Sequence, residues 1–382
     1  MKLLPIPSRS ARRYLARPAL TAPNGLRPLR ADLDGARIEH FPFRAADGTR
    51  LGLARVAPHG DDTRPAVLLL HGHTASAEMF TLPETRNLAA ALLDAGYEPW
   101  LLDWRGSCRL PYNERGPRYS YDDVSLYDIP EAVAQVRGRI GGRPLFAVAH
   151  CIGAMTLSMS MAAGLVTGLA GVVAQGVFLT PKLYGRARLP MHLGTELLRG
   201  RMSHQVVDFK RAGLFSKQSL LFALAARGAD CPDPTCQILH NSAWGTGASL
   251  FVHDNLHPDT HDRLAQLFGP APFFTVPHLR QNELAHAVTR WNHGDRRYAA
   301  LPENALDHAD RIDCPVLLLS GSQNKLWADS NKVCHEVLTS RHPQLDVRYT
   351  EIPGYGHVDP FIGRGAALDV FGHITDFLDT HR

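Results

Sequence analysis

Short apolar runs that alternate with helical segments constrain the fold of this 382-residue chain more than any other sequence feature. Residues 65–70 (PAVLLL), for example, form a continuous apolar run that ends at His71-Gly72, as expected of a strand buried on both faces. The predicted strands are residues 38–45, 50–57, 65–70, 98–103, 144–149, 171–179, 315–320 and 346–352. The predicted helices are residues 83–95, 124–137, a segment from about 152 and a closing segment near 365–380. This order indicates an α/β fold with a mostly parallel central sheet flanked by helices.

The same pattern divides the chain into three parts. The strand–helix core occupies residues 38–182 and 307–382, and residues 183–306 interrupt it with scattered helical patterns and no clear strand ladder. We therefore predict a largely helical cap, or lid, inserted before the last two strands. Residues 1–37 form a basic arm, which is expected to be solvated and loosely packed over the core. Contact of the arm with a membrane surface, a partner or an acidic carrier protein is the alternative.

Composition excludes several classes of protein. Lys and Arg number 41 against 37 Asp and Glu, so the net charge of +4 gives no reason to expect nucleic-acid binding. Six irregularly spaced cysteines are too few for a disulfide scaffold and suggest a reducing compartment, so we predict a cytoplasmic protein. No apolar run reaches about 18 residues, and Pro5 and four arginines interrupt any secretory signal, so no transmembrane segment is expected. The oligomeric state is left open.

The segment Phe146–Ala154 carries the strongest functional signal. An apolar strand runs into Ala149-His150-Cys151-Ile152-Gly153 and then directly into a helix. Small residues on both sides of a nucleophile are needed where a strand turns sharply into a helix, because larger side chains would collide with the neighbouring backbone. The helix N-terminus should stabilise an anion there and lower the pKa of the Cys151 thiol. The alternative is a buried structural cysteine.

Two further segments follow predicted strands in the same order as in a known superfamily. His71–Ser76 follows the strand 65–70, and Gly354–Asp359 follows the strand 346–352. With the Cys151 segment, they make residues 38–382 resemble the α/β-hydrolase superfamily. That resemblance implies that His357 is the catalytic histidine. It also implies that the backbone N–H groups of His73 and Ile152 form the oxyanion hole.

Finer resemblances concern particular stretches. The segments His71–Ala77, Asp103–Gly106 and Tyr127–Pro130 look like those of acid (gastric-type) lipases. The insertion resembles the hydrolase-like domain attached to GMC oxidoreductases of the cholesterol-oxidase type. The residues that carry this second resemblance are His253–Leu256, Thr260, His261, Phe268, Gly269, Cys231 and Cys236. The cysteine elbow is also similar to that of dienelactone hydrolases and polyhydroxyalkanoate synthases.

The third member of a catalytic triad departs from the family pattern. The superfamily places its acid three residues after a glycine that follows the strand before the last, and here Asn324 stands three residues after Gly321. An amide can orient the imidazole but cannot stabilise an imidazolium as a carboxylate does. A thiol needs less help than a hydroxyl, so a Cys151–His357–Asn324 triad is chemically consistent. Asp359 and Asp329 are the alternative acids, and the second role considered for Asp359 is to brace the histidine loop.

These residues predict a cysteine-dependent acyl hydrolase of the esterase or thioesterase type. His357 would take the proton of Cys151 as the sulfur attacks an ester or thioester carbonyl, giving an acyl-S-enzyme that water releases. One alternative is an acyltransferase that passes the acyl group to an alcohol, amine or thiol, and another is a catalytically silent binding protein. The expected substrate is a small acyl ester or thioester, including one attached to a carrier protein. Arg105, His150 and Thr74 are candidates for the substrate pocket, and no cofactor is expected.

The insertion also contains residues that could suggest a metal site. Residues 253–262 (HDNLHPDTHD) hold three histidines and three aspartates, and Cys231 and Cys236 form a C-x₄-C pair. Pro258 makes one uninterrupted helix through the histidines doubtful, and a single cysteine pair is a weak zinc signal. Helix capping and loop hydrogen bonds account for the polar residues, so no metal is predicted. The cysteine pair is expected to be either a disulfide in the cap or two reduced thiols.

Overall fold

The structure is a computed structural model, and it describes residues 26–57, 63–115, 119–183, 185, 204–205, 231, 233–241 and 249–382. Most of the predicted arm, residues 1–25, lies outside the described residues. Much of the predicted cap, residues 186–203, 206–230 and 242–248, also lies outside them.

The described residues form eleven strands. They are β1 (Arg37–His40), β2 (Phe43–Arg44), β3 (Arg50–Ala57), β4 (Ala66–Leu70), β5 (Glu98–Asp103), β6 (Leu145–His150), β7 (Gly171–Gln175), β8 (His204–Gln205), β9 (Ala271–Pro272), β10 (Val316–Gly321) and β11 (Val347–Ile352). Strands β8 and β9 pair with each other in the insertion, and the other nine form the central sheet.

The central sheet has the order β1-β3-β5-β4-β6-β7-β10-β11, with β2 paired to β3. Neighbours from β5 to β11 are parallel, whereas β3 runs antiparallel to β1, β2 and β5. Strands β4, β5, β6, β7 and β10 are buried at every position, which explains why their sequences are nearly continuous apolar runs. This is the fold class that the sequence predicted.

Twelve α-helices accompany the strands in the described residues. They are α1 (Leu88–Asp94), α2 (Tyr121–Asp123), α3 (Ile129–Ile140), α4 (Ile152–Ala162), α5 (Pro234–Asn241), α6 (Pro258–His261), α7 (Leu264–Leu267), α8 (Val276–Ala285), α9 (Ser330–Arg341), α10 (Asp359–Ile362), α11 (Ala366–Asp369) and α12 (Phe371–Thr380). A π-helical turn, Val124–Asp128, joins α2 to α3. No helix among the described residues is long and apolar enough to cross a membrane.

Two predicted strands differ from those observed. The predicted strand 38–45 is divided into β1 and β2, and the break contains Pro42, which has no N–H to donate to a neighbouring strand. The predicted strand 171–179 ends at Gln175, because Gly176 turns the backbone with a φ of +91°. This early turn brings the chain back over the site described below.

Buried ion pairs connect the loop that follows β5 to the π-helical turn. Arg105 donates to both carboxylate oxygens of Asp128, and its Nη1 lies 2.8 Å from Asp47. Asp103 accepts from the backbone N–H of Ala77 and from Arg109. The three stretches that resembled acid lipases are therefore connected to one another, and the pairing satisfies charges that would be costly to bury alone.

The described end of the arm is attached to the core. Leu26 is buried, and the backbone N–H of Arg27 donates to the carbonyl of Arg109. Arg30 pairs with Glu84 and Glu78, both of which are buried. The arm from residue 26 onward therefore packs against the core, in contrast to the loosely packed segment that its basic composition predicted.

Candidate active site

The segment around Cys151 forms a sharp strand-to-helix turn. Strand β6 ends at His150 and α4 begins at Ile152, so Cys151 alone makes the turn, with φ 54° and ψ −121°. A non-glycine residue with positive φ is strained and persists only where its surroundings hold it. A Cβ at Gly153 would lie 2.5 Å from the carbonyl oxygen of His71. This close approach is the physical reason for the small residue that the sequence carries there.

Three N–H groups favour negative charge on the sulfur of Cys151. The indole Nε1 of Trp327 donates to Sγ over 3.4 Å, and the backbone N–H groups of Ile152 and His73 lie close enough to lower the pKa of the same thiol. His73 lies three residues after the end of β4, and the residue that follows it, Thr74, is strained, with a φ of 58°. The two predicted oxyanion donors therefore meet at the predicted nucleophile.

Burial, and not the helix N-terminus, dominates the acidity of this thiol. Removal from water raises the pKa of Cys151 to about 11, although the hydrogen bonds from Trp327, Ile152 and His73 each lower it. The first N–H of the helix, at Ile152, lowers the pKa as predicted, but burial outweighs it, so the net shift is upward and not downward. In this structure the cysteine is a neutral thiol at pH 7.

His357 lies beside the thiol. A nitrogen of His357, a nitrogen of His150 and Cys151 Sγ all lie within 4.8 Å of one another. Both ring nitrogens of His357 are buried and lack a hydrogen-bond partner among the described residues. Burial, followed by the neighbouring His150, lowers the pKa of His357 well below its usual value. The thiol and the imidazole are therefore both neutral, not a preformed ion pair.

Gln175, at the end of β7, holds both histidines. Its Nε2 donates to the backbone carbonyl of His357 over 3.0 Å, and its Oε1 accepts from Nδ1 of His150 over 2.5 Å. Nε2 of His150 is then the unprotonated nitrogen. A Cβ at Gly176 would lie 2.6 Å from Cε1 of His357, so a glycine there lets the imidazole sit against the backbone. His150, predicted to line the substrate pocket, instead packs against His357 with ring centroids 4.7 Å apart.

Asn324 does not make the predicted hydrogen bond to His357 in this structure. Its Oδ1 accepts from the backbone N–H groups of Leu326 and Trp327, both at 3.1 Å, and its Nδ2 is buried without a partner among the described residues. Asn324 therefore shapes the turn that carries the Trp327 indole to Cys151. The sequence placed the residue in the correct loop but paired it with the wrong neighbour, because the loop uses the amide oxygen for its own backbone.

Neither alternative acid is hydrogen-bonded to the imidazole of His357. Asp329 is half exposed and forms an ion pair with Lys182, with Oδ1 2.8 Å from Nζ. Asp359 is buried, and its carboxylate accepts from the backbone N–H of Gly356 and from Asn255 Nδ2, 2.7 Å from Oδ2. Asp359 therefore braces the histidine loop, which was the second of the two roles considered for it.

The remaining pocket candidates have structural partners. The Arg105 guanidinium is held by Asp128 and Asp47 and also lines a cavity of about 480 Å³ whose described lining does not include Cys151. Thr74 is buried, and its carbonyl accepts from the backbone N–H of Gly269 in the insertion. Among the predicted pocket residues, His150 is therefore the one that lies beside the thiol.

Two groups of side chains in the described residues have donor atoms close enough together to hold a metal ion. The first consists of His150, Cys151 and His357. The second lies in the insertion and consists of Cys231, Cys236, His253 and His261. All six cysteines of the chain are free thiols in this structure, so Cys231 and Cys236 do not form the disulfide that was one of two expectations.

Two residues of the site were not identified from the sequence. Gln175 carried a usable signal, because it is a polar residue that ends an otherwise apolar buried strand. Trp327 carried none, because a tryptophan in a loop after a strand has no pattern that fixes its direction. Its approach to Cys151 depends on the turn that Asn324 stabilises.

The family whose sequence model matches the chain, over residues 67–368, is described as "Alpha/beta hydrolase family". Gastric triacylglycerol lipase of Bos taurus is 25% identical over 368 residues, covering 87% of this chain and 86% of that protein. Triacylglycerol lipase 1 of Arabidopsis thaliana is 26% identical over 358 residues, covering 88% and 85%.

Solved structures give the same fold at lower identity. A thermostable carboxyl esterase from Bacillus coagulans aligns with a TM-score of 0.60 and 16% identity, over 90% of this chain and 98% of that chain. A monoacylglycerol lipase from Paleococcus ferrophilus aligns with a TM-score of 0.52 and 18% identity, over 87% and 100%. At these identities the similarity concerns the fold alone.

Proposed function

The chain belongs to the α/β-hydrolase family, and on that premise we propose that it is an acyl hydrolase that uses Cys151 to cleave carboxylic esters or thioesters. The names of two relatives, both triacylglycerol lipases, support an ester substrate. Serine is the usual nucleophile at this turn, so the cysteine is the feature that distinguishes this chain.

One observation carries the proposal. Cys151 occupies the strained strand-to-helix turn, the backbone N–H groups of His73 and Ile152 both lower the pKa of its thiol, and a nitrogen of His357 lies within 4.8 Å of its sulfur. A nucleophile, a base close beside it and two backbone donors near the same atom are the elements that acyl transfer requires. A structural cysteine would need only apolar neighbours.

The first half of the reaction begins from neutral groups. Because the thiol has a pKa near 11 and the imidazole is unprotonated, the Cys151 proton passes to His357 as the sulfur attacks the carbonyl carbon. The C–S bond forms, and the carbonyl oxygen becomes an oxyanion held by the N–H groups of His73 and Ile152. The leaving alcohol or thiol takes the proton from His357 as its bond to carbon breaks, which leaves an acyl-S-enzyme.

The second half releases the acyl group. Water gives a proton to His357 and attacks the acyl carbon, the C–S bond breaks, and the Cys151 thiol regains the proton. An alcohol, amine or second thiol in place of water would make the same site an acyltransferase. Water and acceptors therefore compete for one intermediate, and a single experiment can distinguish them.

We assign Asn324 the third position of the site, with a role that differs from an acid. Through Leu326 and Trp327 it fixes the turn that places the Trp327 indole N–H 3.4 Å from Cys151 Sγ. A donor at that position stabilises negative charge on the sulfur as the proton leaves. His357 is positioned instead by its backbone, through Gln175 and the carbonyl of Leu250.

Intact-protein mass spectrometry tests the proposal. The protein is incubated with p-nitrophenyl esters and acyl thioesters of several chain lengths, with and without added alcohol or amine acceptors. We expect one acyl group per chain, absent from Cys151→Ala and formed at least about 100-fold more slowly in His357→Ala. A carrier-protein thioester forms a further arm of the panel.

Cys108→Ala is the matched control, because Cys108 is a partly buried thiol near the same end of the sheet that the mechanism does not use. It should acylate like the wild type. Retention of the adduct in Cys151→Ala would refute the nucleophile. The absence of any adduct and of turnover across the panel, with normally folded protein, would instead indicate a binding protein without catalysis. Products carrying the acceptor would identify acyl transfer.

A further inference from the structure

Four donor side chains from separate parts of the insertion meet at one point. Cys231 and Cys236 come from the start of α5, and His253 and His261 come from the segment that contains α6. One donor atom from each residue lies within 4.8 Å of every other. We call these four residues the Cys2His2 cluster.

The distances within the cluster suit a tetrahedral ion. Zinc bonds of about 2.3 Å to sulfur and 2.0 Å to nitrogen place the ligand atoms of a tetrahedron roughly 3.3 to 3.8 Å apart. Cys231 Sγ lies 3.4 Å from Nε2 of His261, and both cysteines are free thiols. The side chains are thus close to their bonding positions, and small movements of the others would complete the site.

The surroundings of the cysteines hold the two sulfurs in place. The backbone N–H of Asp233 donates to Cys231 Sγ over 3.5 Å. The carboxylate of Asp233 accepts from the backbone N–H of Cys236 over 2.8 Å, which closes the C-x₄-C loop at the first turn of α5. Backbone donors to cysteine sulfur suit a thiolate better than a thiol, because they stabilise negative charge.

Each of the two histidines has a carboxylate near its Nδ1. Nδ1 of His253 lies 3.6 Å from Asp254, and Nδ1 of His261 lies 3.8 Å from Asp262. A histidine that binds a metal through one nitrogen commonly faces a carboxylate with the other, which fixes the tautomer and raises the basicity of the ligand. At 3.6 and 3.8 Å the two carboxylates lie just beyond hydrogen-bond distance, so each needs only a small movement to take up this role.

We propose that the Cys2His2 cluster is a structural Zn²⁺ site that fastens the insertion to the core. Two thiolates and two neutral imidazoles neutralise the ion, and sulfur and nitrogen ligands select Zn²⁺ over Ca²⁺ or Mg²⁺, which prefer oxygen. Four protein ligands close the coordination shell, as in sites that stabilise a fold. The sequence-based expectation of no metal considered the cysteines and the histidines separately, and folding brings them together.

The position of the cluster gives the metal a structural consequence. Asn255, between the two histidine ligands, donates to Asp359, and the backbone N–H of Arg364 donates to the carbonyl of Asn255. The backbone N–H of His357 donates to Leu250 in the same segment. A metal bound to the cluster would therefore connect α5 to the segment that braces the His357 loop.

Metal analysis of tag-free protein, purified without chelators, tests the site. We expect about one zinc per chain by elemental mass spectrometry, and essentially none in the double variant Cys231→Ser/Cys236→Ser or in His261→Ala. His257→Asn is the matched control, because His257 lies between the two ligands and only caps α6, a role that asparagine can fill. It should retain the metal.

Two measurements on wild-type protein keep the test independent of whether the variants fold. Removal of zinc with a chelator should make two additional thiols reactive toward a disulfide reagent, and added Zn²⁺ should protect them again. Co²⁺ added to the stripped protein should give the visible absorption of a tetrahedral thiolate site, with saturation at one equivalent. The apparent Tm should fall by roughly 5 °C or more on stripping, because the ion binds only the folded chain.

Three outcomes would overturn the site. The first is that stripped wild-type protein binds neither Zn²⁺ nor Co²⁺. The second is that the wild type and the double cysteine variant contain equal amounts of metal. The third is a disulfide between Cys231 and Cys236 in freshly purified protein. None of these readouts depends on Cys151, so failure of the zinc site would leave the proposed hydrolase activity untouched.

Discussion

At Cys151 two effects act on the thiol in opposite directions. Burial disfavours the thiolate, and three N–H donors favour it, with burial the larger effect. In the proposed mechanism, these donors would stabilise the charge that appears on the sulfur and the carbonyl oxygen during reaction, while the resting thiol stays neutral. A neutral thiol is oxidised less readily than a permanent thiolate.

This balance predicts the pH dependence of alkylation at Cys151. A pKa of about 11 lies above the ordinary value of 9.0, so the thiolate fraction should rise about tenfold per pH unit from pH 7 to 10 without levelling off. The rate of carbamidomethylation by iodoacetamide, measured on the Cys151 peptide by mass spectrometry, should follow that slope. Glutathione provides the reference thiol. A rate that reaches its plateau below pH 8 would show a preformed thiolate–imidazolium pair instead.

Asn324 offers a second test at the scale of single residues. If it acts through Trp327, Asn324→Leu and Trp327→Phe should both slow alkylation of Cys151 at pH 8 by about tenfold, and the double variant should be no slower than either. Asn324→Asp keeps an acceptor for the two backbone N–H groups and should stay within about threefold of the wild type.

The contrary result for Asn324 is equally specific. If it orients the imidazole, as the sequence suggested, Asn324→Leu should clearly reduce the acylation rate, although less than His357→Ala does, and Trp327→Phe should have no effect on that rate. The kcat for ester turnover, measured beside the alkylation rate, separates a lost donor at the sulfur from general loss of structure.

At the scale of elements, the strands could be predicted because a strand that is buried on both faces is apolar at nearly every position. The apolar runs at β4, β6 and β10 were found within a residue of their observed bounds. The turn at Cys151 was also predictable, since only a small residue fits where Gly153 approaches the carbonyl of His71. The loops were not predictable to the same depth.

Loop side chains depend on local hydrogen bonds that have no periodic signature. The sequence placed Asn324 in the correct loop, but it did not show that the backbone would hydrogen-bond to the amide oxygen of Asn324. Trp327 was missed for the same reason. The Cys2His2 cluster shows the same limit at longer range. Cys236 and His253 lie 17 positions apart in the sequence, and only the fold places them in contact.

At the scale of the whole molecule, the parallel direction of the strands brings the residues of the candidate site together. Strands β4, β6, β7, β10 and β11 end at one edge of the sheet, so the residues that follow them meet there even though they are distant in sequence. His73, Cys151, Gln175, Asn324 and His357 each follow or end a different strand of this group. The insertion then closes over the same edge through Leu250 and Gly269.

The central claim is that turnover passes through an acyl group on Cys151, and pre-steady-state kinetics tests it most directly. With an activated p-nitrophenyl ester, the wild type should release a burst of about one p-nitrophenol per chain. Rapid quenching and peptide mapping should then find the acyl group on Cys151, disappearing at the steady-state rate. Cys151→Ala should show neither burst nor adduct. Wild-type turnover with the adduct on another residue, or with Cys151→Ala as fast as wild type, would contradict the account.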